Sequence, residues 1–186
     1  MGRATRWCVL VAAGVLCTPG RARADAYVNP WVGVHFGNES ARSGVRSFGV
    51  SIGEAGNGII GVETTVGFAP GFLGSSVDNY ELDFMAGVTI GPTLNVTGRS
   101  IRPYVVAKVG MIRTSIESPL IGGRFARTDF GLAAGVGVTH DVTDGMAFRG
   151  DLRYLRSLNP DAATNSLGVD LRRFHFWRLA FGIVLH

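Results

Sequence analysis

Charged side chains recur at alternate positions within otherwise apolar segments, and they are the residues best placed to do chemistry. They are Glu63, Glu81, Asp83, Lys108, Asp129, Arg149, Asp151, Arg153 and Arg178. If all of them face one interior, opposite charges will pair, because an isolated buried ion carries a large desolvation penalty. The pattern therefore predicts an interior filled by ion pairs. A polar pore or ligand path lined by the same residues is the alternative.

Catalytic groups are harder to find. The histidines are His35, His140, His175 and His186, and none has a serine at a spacing that suggests a shared strand face. Glu81 and Asp83 share a face at i, i+2, where the inward arginines give them a role as salt-bridge partners. We find no metal-ligand spacing and expect no cofactor. The sequence predicts a protein that is not an enzyme, and an enzyme that modifies outer-membrane lipid is a remote alternative.

Strict alternation of apolar and small or polar residues runs along the chain, as expected of strands whose successive side chains point to opposite faces. Five segments alternate cleanly, at residues 60–68, 80–90, 129–139, 146–154 and 177–185. Three more are less regular, at residues 27–37, 45–53 and 102–114. Together they predict eight strands. An even number of strands lets both chain termini meet on one side of the sheet.

The connections alternate in length. Short ones are predicted at residues 55–58 and 141–145, which hold Asn-Gly and Asp-Gly pairs suited to tight hairpins, with a longer one at residues 92–100. Longer loops are predicted at residues 38–44, 69–79, 115–124 and 157–170. Short turns on one side and long loops on the other are typical of outer-membrane barrels, in which the short side is periplasmic.

Residues 1–24 have the features of a secretory signal peptide: a basic start, an apolar run of about eleven residues and an Ala-Arg-Ala end. We predict cleavage between Ala24 and Asp25, which leaves a single domain of residues 25–186. Both cysteines and four arginines lie in the removed segment, so the rest carries no net charge and no thiol. The composition thus gives no reason to expect a nucleic-acid partner or a disulfide framework.

Alternation alone also fits a soluble β-sandwich. Two features favour a membrane barrel. Aromatic residues near strand ends would form an interfacial girdle, namely Trp31, Phe36, Tyr80, Tyr104, Tyr154 and Trp177. The face opposite the apolar one is rich in Gly and Ala, which a narrow barrel interior can hold beside bulky charged side chains. The predicted fold is an all-β, eight-stranded antiparallel up-and-down transmembrane barrel.

Three segments resemble consecutive strands of the outer-membrane β-barrel domain family, which includes the OmpA-like and OmpW-like small barrels. They are RPYVVAKVG at residues 102–110, DFGLAAGVGV at 129–138 and FRGDLRY at 148–154. One departure is at the end, where such barrels usually carry an aromatic residue and here Leu185 is followed by His186.

The resemblance implies a bacterial outer-membrane location and two partners, the membrane lipid and the insertion machinery, with a monomer favoured. It also leaves two functions open. One is a structural or interaction protein with a plugged lumen and long external loops. The other is a narrow OmpW-like channel for small solutes.

Overall fold

Nine strands make up the secondary structure of the computed structural model, which describes residues 25–37, 44–56, 59–72, 78–96, 99–118, 123–158 and 175–186. The strands are β1 Asp25–Phe36, β2 Val45–Gly56, β3 Ile60–Pro70, β4 Asp78–Ile90, β5 Leu94–Val96, β6 Arg99–Ser118, β7 Gly123–Thr143, β8 Met146–Ser157 and β9 His175–Leu185. In these ranges no helix is long and apolar enough to cross a membrane.

Eight of the strands close into a barrel. Each pairs antiparallel with its neighbours in the order β1, β2, β3, β4, β6, β7, β8 and β9, and β9 pairs back onto β1. The three-residue β5 pairs only with the start of β6. Closure leaves no open sheet edge in the barrel wall, as a sheet within a lipid bilayer requires. The predicted eight-stranded antiparallel barrel is confirmed.

The strands are strongly staggered. Following the register from His35 through β9, β8, β7, β6, β4, β3 and β2 returns to β1 at Asp25, a shift of ten residues along the same strand. A stagger of this kind tilts the strands against the barrel axis and fixes the diameter of the interior. Inward side chains of distant strands are therefore brought to the same height.

The alternation divides apolar and polar side chains between two faces. Phe84, Leu132 and Phe181 point outward and are 43%, 41% and 60% exposed, whereas the neighbouring Asp83 is fully buried. Aliphatic and aromatic residues also cover most outward positions on the other strands. A soluble sandwich would bury these side chains, whereas an exposed apolar surface of this kind is typical of a barrel surrounded by lipid.

Two predicted connections are corrected. The loop expected at residues 115–124 is wrong in its bounds, because β6 continues to Ser118 and β7 begins at Gly123, paired with each other. Outside the membrane a strand pair needs no apolar face, so the alternation that marks the other strand ends is weak here. The connection at residues 92–100 contains β5, which forms a small hairpin with β6.

The predicted aromatic girdle is wrong for two of its six residues. Trp31 points inward and is 5% exposed, and Tyr104 also faces the lumen. Glycines on neighbouring strands make room for them: a Cβ at Gly49 would collide with the Trp31 indole, and one at Gly137 would collide with the Tyr104 ring. The inward glycines thus provide space for rings that the interior must hold.

Candidate functional site

All nine charged residues expected in the interior lie on the inward face. Eight of them are at most 5% exposed, namely Glu63, Glu81, Asp83, Lys108, Arg149, Asp151, Arg153 and Arg178. Asp129 lies nearer the loops, is partly exposed and pairs with Arg127 at 2.7 Å between Nε and Oδ1. The structure therefore brings eight of the nine into the closed part of the lumen and leaves Asp129 at its loop-side end.

Glu63 is the centre of the charge network. Its carboxylate accepts hydrogen bonds from the Lys108 ammonium and from Arg149, and from the Arg153 Nη2 at 3.1 Å. The Tyr27 hydroxyl donates to it at 2.6 Å. Three cations and a phenol thus surround one buried carboxylate, and charge-assisted bonds of this kind are the strong ones.

Asp151 is the second anion of this network. It accepts hydrogen bonds from Arg149 at 3.1 Å, from Arg153 at 3.0 Å and from the Tyr104 hydroxyl. The Arg149 guanidinium also lies over the Tyr104 ring, 4.5 Å from its centroid. Arg149 therefore bridges both anions and is held in place by an aromatic ring.

These ion pairs cross the lumen. Glu63 is on β3 and both Arg149 and Arg153 are on β8, and three strands separate β3 from β8 in either direction around the barrel. Arg178 on β9 and Asp83 on β4 are opposite in the same way and are joined at 2.6 Å. Side chains that meet across the full diameter leave little open section at their level.

A second cluster surrounds Arg178 and contains more acidic than basic side chains. The Arg178 guanidinium donates to both Asp83 oxygens and lies 4.5 Å from the centroid of the Trp31 ring. Glu81 is fully buried nearby, and neither of its oxygens accepts a hydrogen bond from any residue that the structure describes. One arginine thus serves two carboxylates, of which only Asp83 is bonded to it.

On the loop side of the Glu63 network, apolar side chains fill much of the lumen. They are Val45, Ala69, Phe72, Met85, Ile112, Ala133, Leu155 and Phe176. His35 packs between two of them, with ring centroids 5.5 Å from Phe72 and 4.5 Å from Phe176. We call this group the apolar cap. It places a largely apolar layer between the Glu63 network and the loop-side mouth.

The turn-side mouth is more open. A cavity of about 70 Å³ lies there and is lined by Tyr27, Arg102, Tyr104, Arg149 and His186, among others. Arg102 pairs with Asp141 at 3.4 Å, and both side chains are partly exposed. The cavity ends at Arg149, where the network of Glu63 and Asp151 begins.

Several residues that line the lumen were not predicted from the sequence. Tyr27 and Tyr104 belong to the charge network, and Arg102 and Arg127 form inward ion pairs with Asp141 and Asp129. The i, i+2 spacing of Arg127 and Asp129 equals that of Arg149 and Asp151, so it was a usable signal. No comparable signal in the sequence marked the apolar cap, because its residues alternate along their strands in the same way as any other inward residues.

The histidines are dispersed. His35 is in the apolar cap, His140 and His175 lie on β7 and β9, and His186 stacks edge-on against Tyr27. In the part of the chain that the structure describes, no three His, Cys, Asp or Glu side chains are grouped as a metal site would require. That the protein is not an enzyme remains a prediction.

Comparison with known proteins identifies the family of this chain. The model of the family described as outer membrane protein beta-barrel domain matches residues 8–172. No curated protein matches the sequence. The predicted cleavage site and the resulting domain boundary lie at the edge of the described residues, and they remain predictions.

Solved structures give the same architecture. The chain is similar to Neisserial surface protein A (TM-score 0.65, 17% identity, 87% of this chain and 97% of that one). It is also similar to the N-terminal β-barrel domain of Pseudomonas aeruginosa OprF (0.51, 15%, 88% and 98%). A third match is Ail of Yersinia pestis in complex with the heparin analogue sucrose octasulfate (0.51, 17%, 87% and 99%). At these identities the likeness establishes the fold.

Proposed function

We propose, since the chain belongs to the outer membrane protein β-barrel domain family, that it is a non-conducting barrel of the bacterial outer membrane with a structural or interaction role. Its lumen is plugged, and specific binding is carried by the parts of the chain on the loop side. Export by the N-terminal signal segment is part of this proposal.

The observation that carries the proposal is the pairing of charges across the full diameter of the lumen. Glu63 binds Arg149 and Arg153 from the opposite wall, and Asp83 binds Arg178 from the opposite wall. The apolar cap lies in series with these pairs. A permeating ion would have to break buried ion pairs and then pass the largely apolar cap, and both steps are costly.

The long β6–β7 hairpin supports a role on the loop side. Residues 123–130 of β7 pair with β6 beyond the last register partner of β8, which is Gly131 opposite Ser157. A strand pair of this length holds its loop-side end in a fixed conformation, so binding there would cost little entropy. Binding by this hairpin would not require an open lumen.

Conductance across a planar lipid bilayer tests the proposal. The purified protein should give no steady conductance, and Val66→Ala on the outward face of β3 should behave in the same way as a control. A variant in which Glu63, Asp83, Phe72 and Phe176 are all replaced by Ala, which removes the anions of the cross-lumen pairs and two rings of the apolar cap, should produce conducting openings. A steady wild-type current that is lost in Arg149→Ala or Arg178→Ala would refute the plug and support the narrow channel.

The enzymatic alternative has a separate test. Outer-membrane lipid A is incubated with the reconstituted protein, and released acyl chains are measured. The proposal predicts no release above that of a heat-denatured sample. Release by the folded protein alone would show an activity that a structural role does not include.

A further inference from the structure

Three arginines face outward at the loop-side end of the barrel. Arg46 is the second residue of β2, Arg113 lies towards the loop end of β6, and Arg156 is the penultimate residue of β8. All three side chains are exposed, and none forms an ion pair with another residue whose side chain the structure describes. They alternate along their strands with inward residues, so they share the face that carries the apolar belt.

The register places the three at one end of the barrel and distributes them around it. Arg46 is opposite Val34 of β1, and Arg156 is opposite His175 of β9. Arg113 lies on the other side, between Leu82 of β4 and Thr128 of β7. The arginines therefore form a partial ring around the barrel. We call them the arginine ring.

Aromatic side chains lie directly below the ring, on the membrane side. Phe48, two residues along the strand from Arg46, lies next to Phe68, with ring centroids 5.5 Å apart. Tyr154, two residues from Arg156, lies 5.2 Å from Trp177. Exposed aromatic rings of this kind mark the boundary between acyl chains and headgroups. The arginine ring is thus at headgroup level.

The turn-side rim of the barrel carries different residues on its outward face. Among the outward residues whose side chains are described there, Glu54 is acidic, and Ile60, Ile90, Ile101 and Leu185 are aliphatic. Among the side chains that the structure describes, positive charge facing the lipid is therefore confined to the loop-side rim. A ligand that explains the asymmetry has to be anionic and restricted to the leaflet on that side.

We propose that Arg46, Arg113 and Arg156 bind phosphate groups of lipid headgroups in the loop-side leaflet. Guanidinium groups match phosphate oxygens in bidentate geometry, and an arginine at this depth can extend to the headgroup while its aliphatic stem covers apolar surface. The acyl chains of the same lipid would lie on the aromatic residues below. This arrangement favours a membrane lipid over a soluble phosphate and does not depend on whether the lumen is closed.

Native mass spectrometry of the protein in maltoside micelles tests the proposal. Phosphatidic acid and diacylglycerol with the same acyl chains differ only in the phosphate, and the wild-type protein should retain the first in clear preference. Changing all three residues to Gln should remove the preference, with an expected loss of about fivefold in affinity for each arginine. Changing them to Lys should retain part of it, because the charge is kept.

Two controls make the outcome decisive. Glu54→Gln changes one charge at the opposite rim and should leave the preference unchanged, and heat-dependent mobility on gels establishes that each variant is folded. Soluble glycerol phosphate, added at the concentration of the lipid, should not compete. Equal binding of phosphatidic acid by the wild-type protein and the folded Gln variant would overturn the proposal, as would effective competition by glycerol phosphate.

Discussion

Glu63 and Glu81 are the same residue type on the inward face of adjacent strands, yet their surroundings differ. Glu63 is bound by three cations and a phenol, whereas both oxygens of Glu81 accept no hydrogen bond from the described residues. Burial removes hydration from both carboxylates. Only for Glu63 does the protein supply partners in place of water.

Glu63→Gln should therefore lower stability much more than Glu81→Gln. Glu63→Gln leaves Lys108, Arg149 and Arg153 with one remaining anion, Asp151, and should lower the free energy of unfolding by about 3–5 kcal/mol. Glu81→Gln replaces a buried carboxyl group that accepts no hydrogen bond from the described residues by a neutral group of similar size, and should change the free energy of unfolding by at most about 1 kcal/mol. Urea titration of the protein in lipid vesicles, followed by gel mobility, measures both. An equally large loss of stability in both variants would contradict the account, because it would mean that Glu81 is bound as strongly as Glu63.

At the scale of the strand, the inward glycines determine which bulky side chains the lumen can hold. Gly137 and Gly150 lie on the paired strands β7 and β8 and point to opposite faces of the wall. A Cβ at Gly137 would collide with the Tyr104 ring, whereas one at Gly150 would meet Phe181 at an ordinary 3.6 Å. The two positions therefore provide a matched comparison.

We expect Gly137→Ala to destabilise the barrel by about 1–3 kcal/mol, because Tyr104 must move and its hydroxyl is bonded to Asp151. Gly150→Ala should be neutral or stabilise it by up to about 1 kcal/mol, because the alanine restricts the unfolded chain without a clash. Thermal unfolding in micelles, monitored by circular dichroism, distinguishes them. Equal effects would mean that the glycines serve only backbone flexibility.

The strands and their faces were predictable because alternation is a local signal. Residues 60–68 alternate cleanly, and they lie within β3 with the predicted face outward. The inward charges followed from the same signal. Their pairing did not, because Glu63 meets Arg149 only through the stagger of the closed sheet, and stagger is not a local property of sequence.

Aromatic residues were the weakest part of the prediction. The girdle was predicted from closeness to a strand end and not from the face of the strand. Trp31 and Tyr104 were therefore assigned to it although they point inward. Alternation with the outward Val32 and Val105 already places both rings inward, and the glycines opposite them show how the lumen holds them. The apolar cap was missed for a related reason, since local alternation does not show that apolar inward residues of seven strands converge.

For the whole molecule, the account depends on one geometric claim: the apolar face of every strand meets lipid, and the other face fills a lumen without water-filled passage. Closure of β1 onto β9, the cross-lumen ion pairs and the apolar cap all follow from that arrangement. The two tryptophans of residues 25–186 report on the two faces. Trp31 is in the lumen against Arg178, and Trp177 is on the outer wall against Tyr154.

The most direct test is quenching of tryptophan fluorescence by lipids with brominated acyl chains, in protein consisting of residues 25–186. In the Trp31→Phe variant the emission of Trp177 should be strongly quenched, because its ring contacts lipid. In the Trp177→Phe variant the emission of Trp31 should be nearly unaffected, because the barrel wall separates the ring from the acyl chains. Quenching of Trp31 equal to that of Trp177, or no quenching of Trp177, would contradict the account.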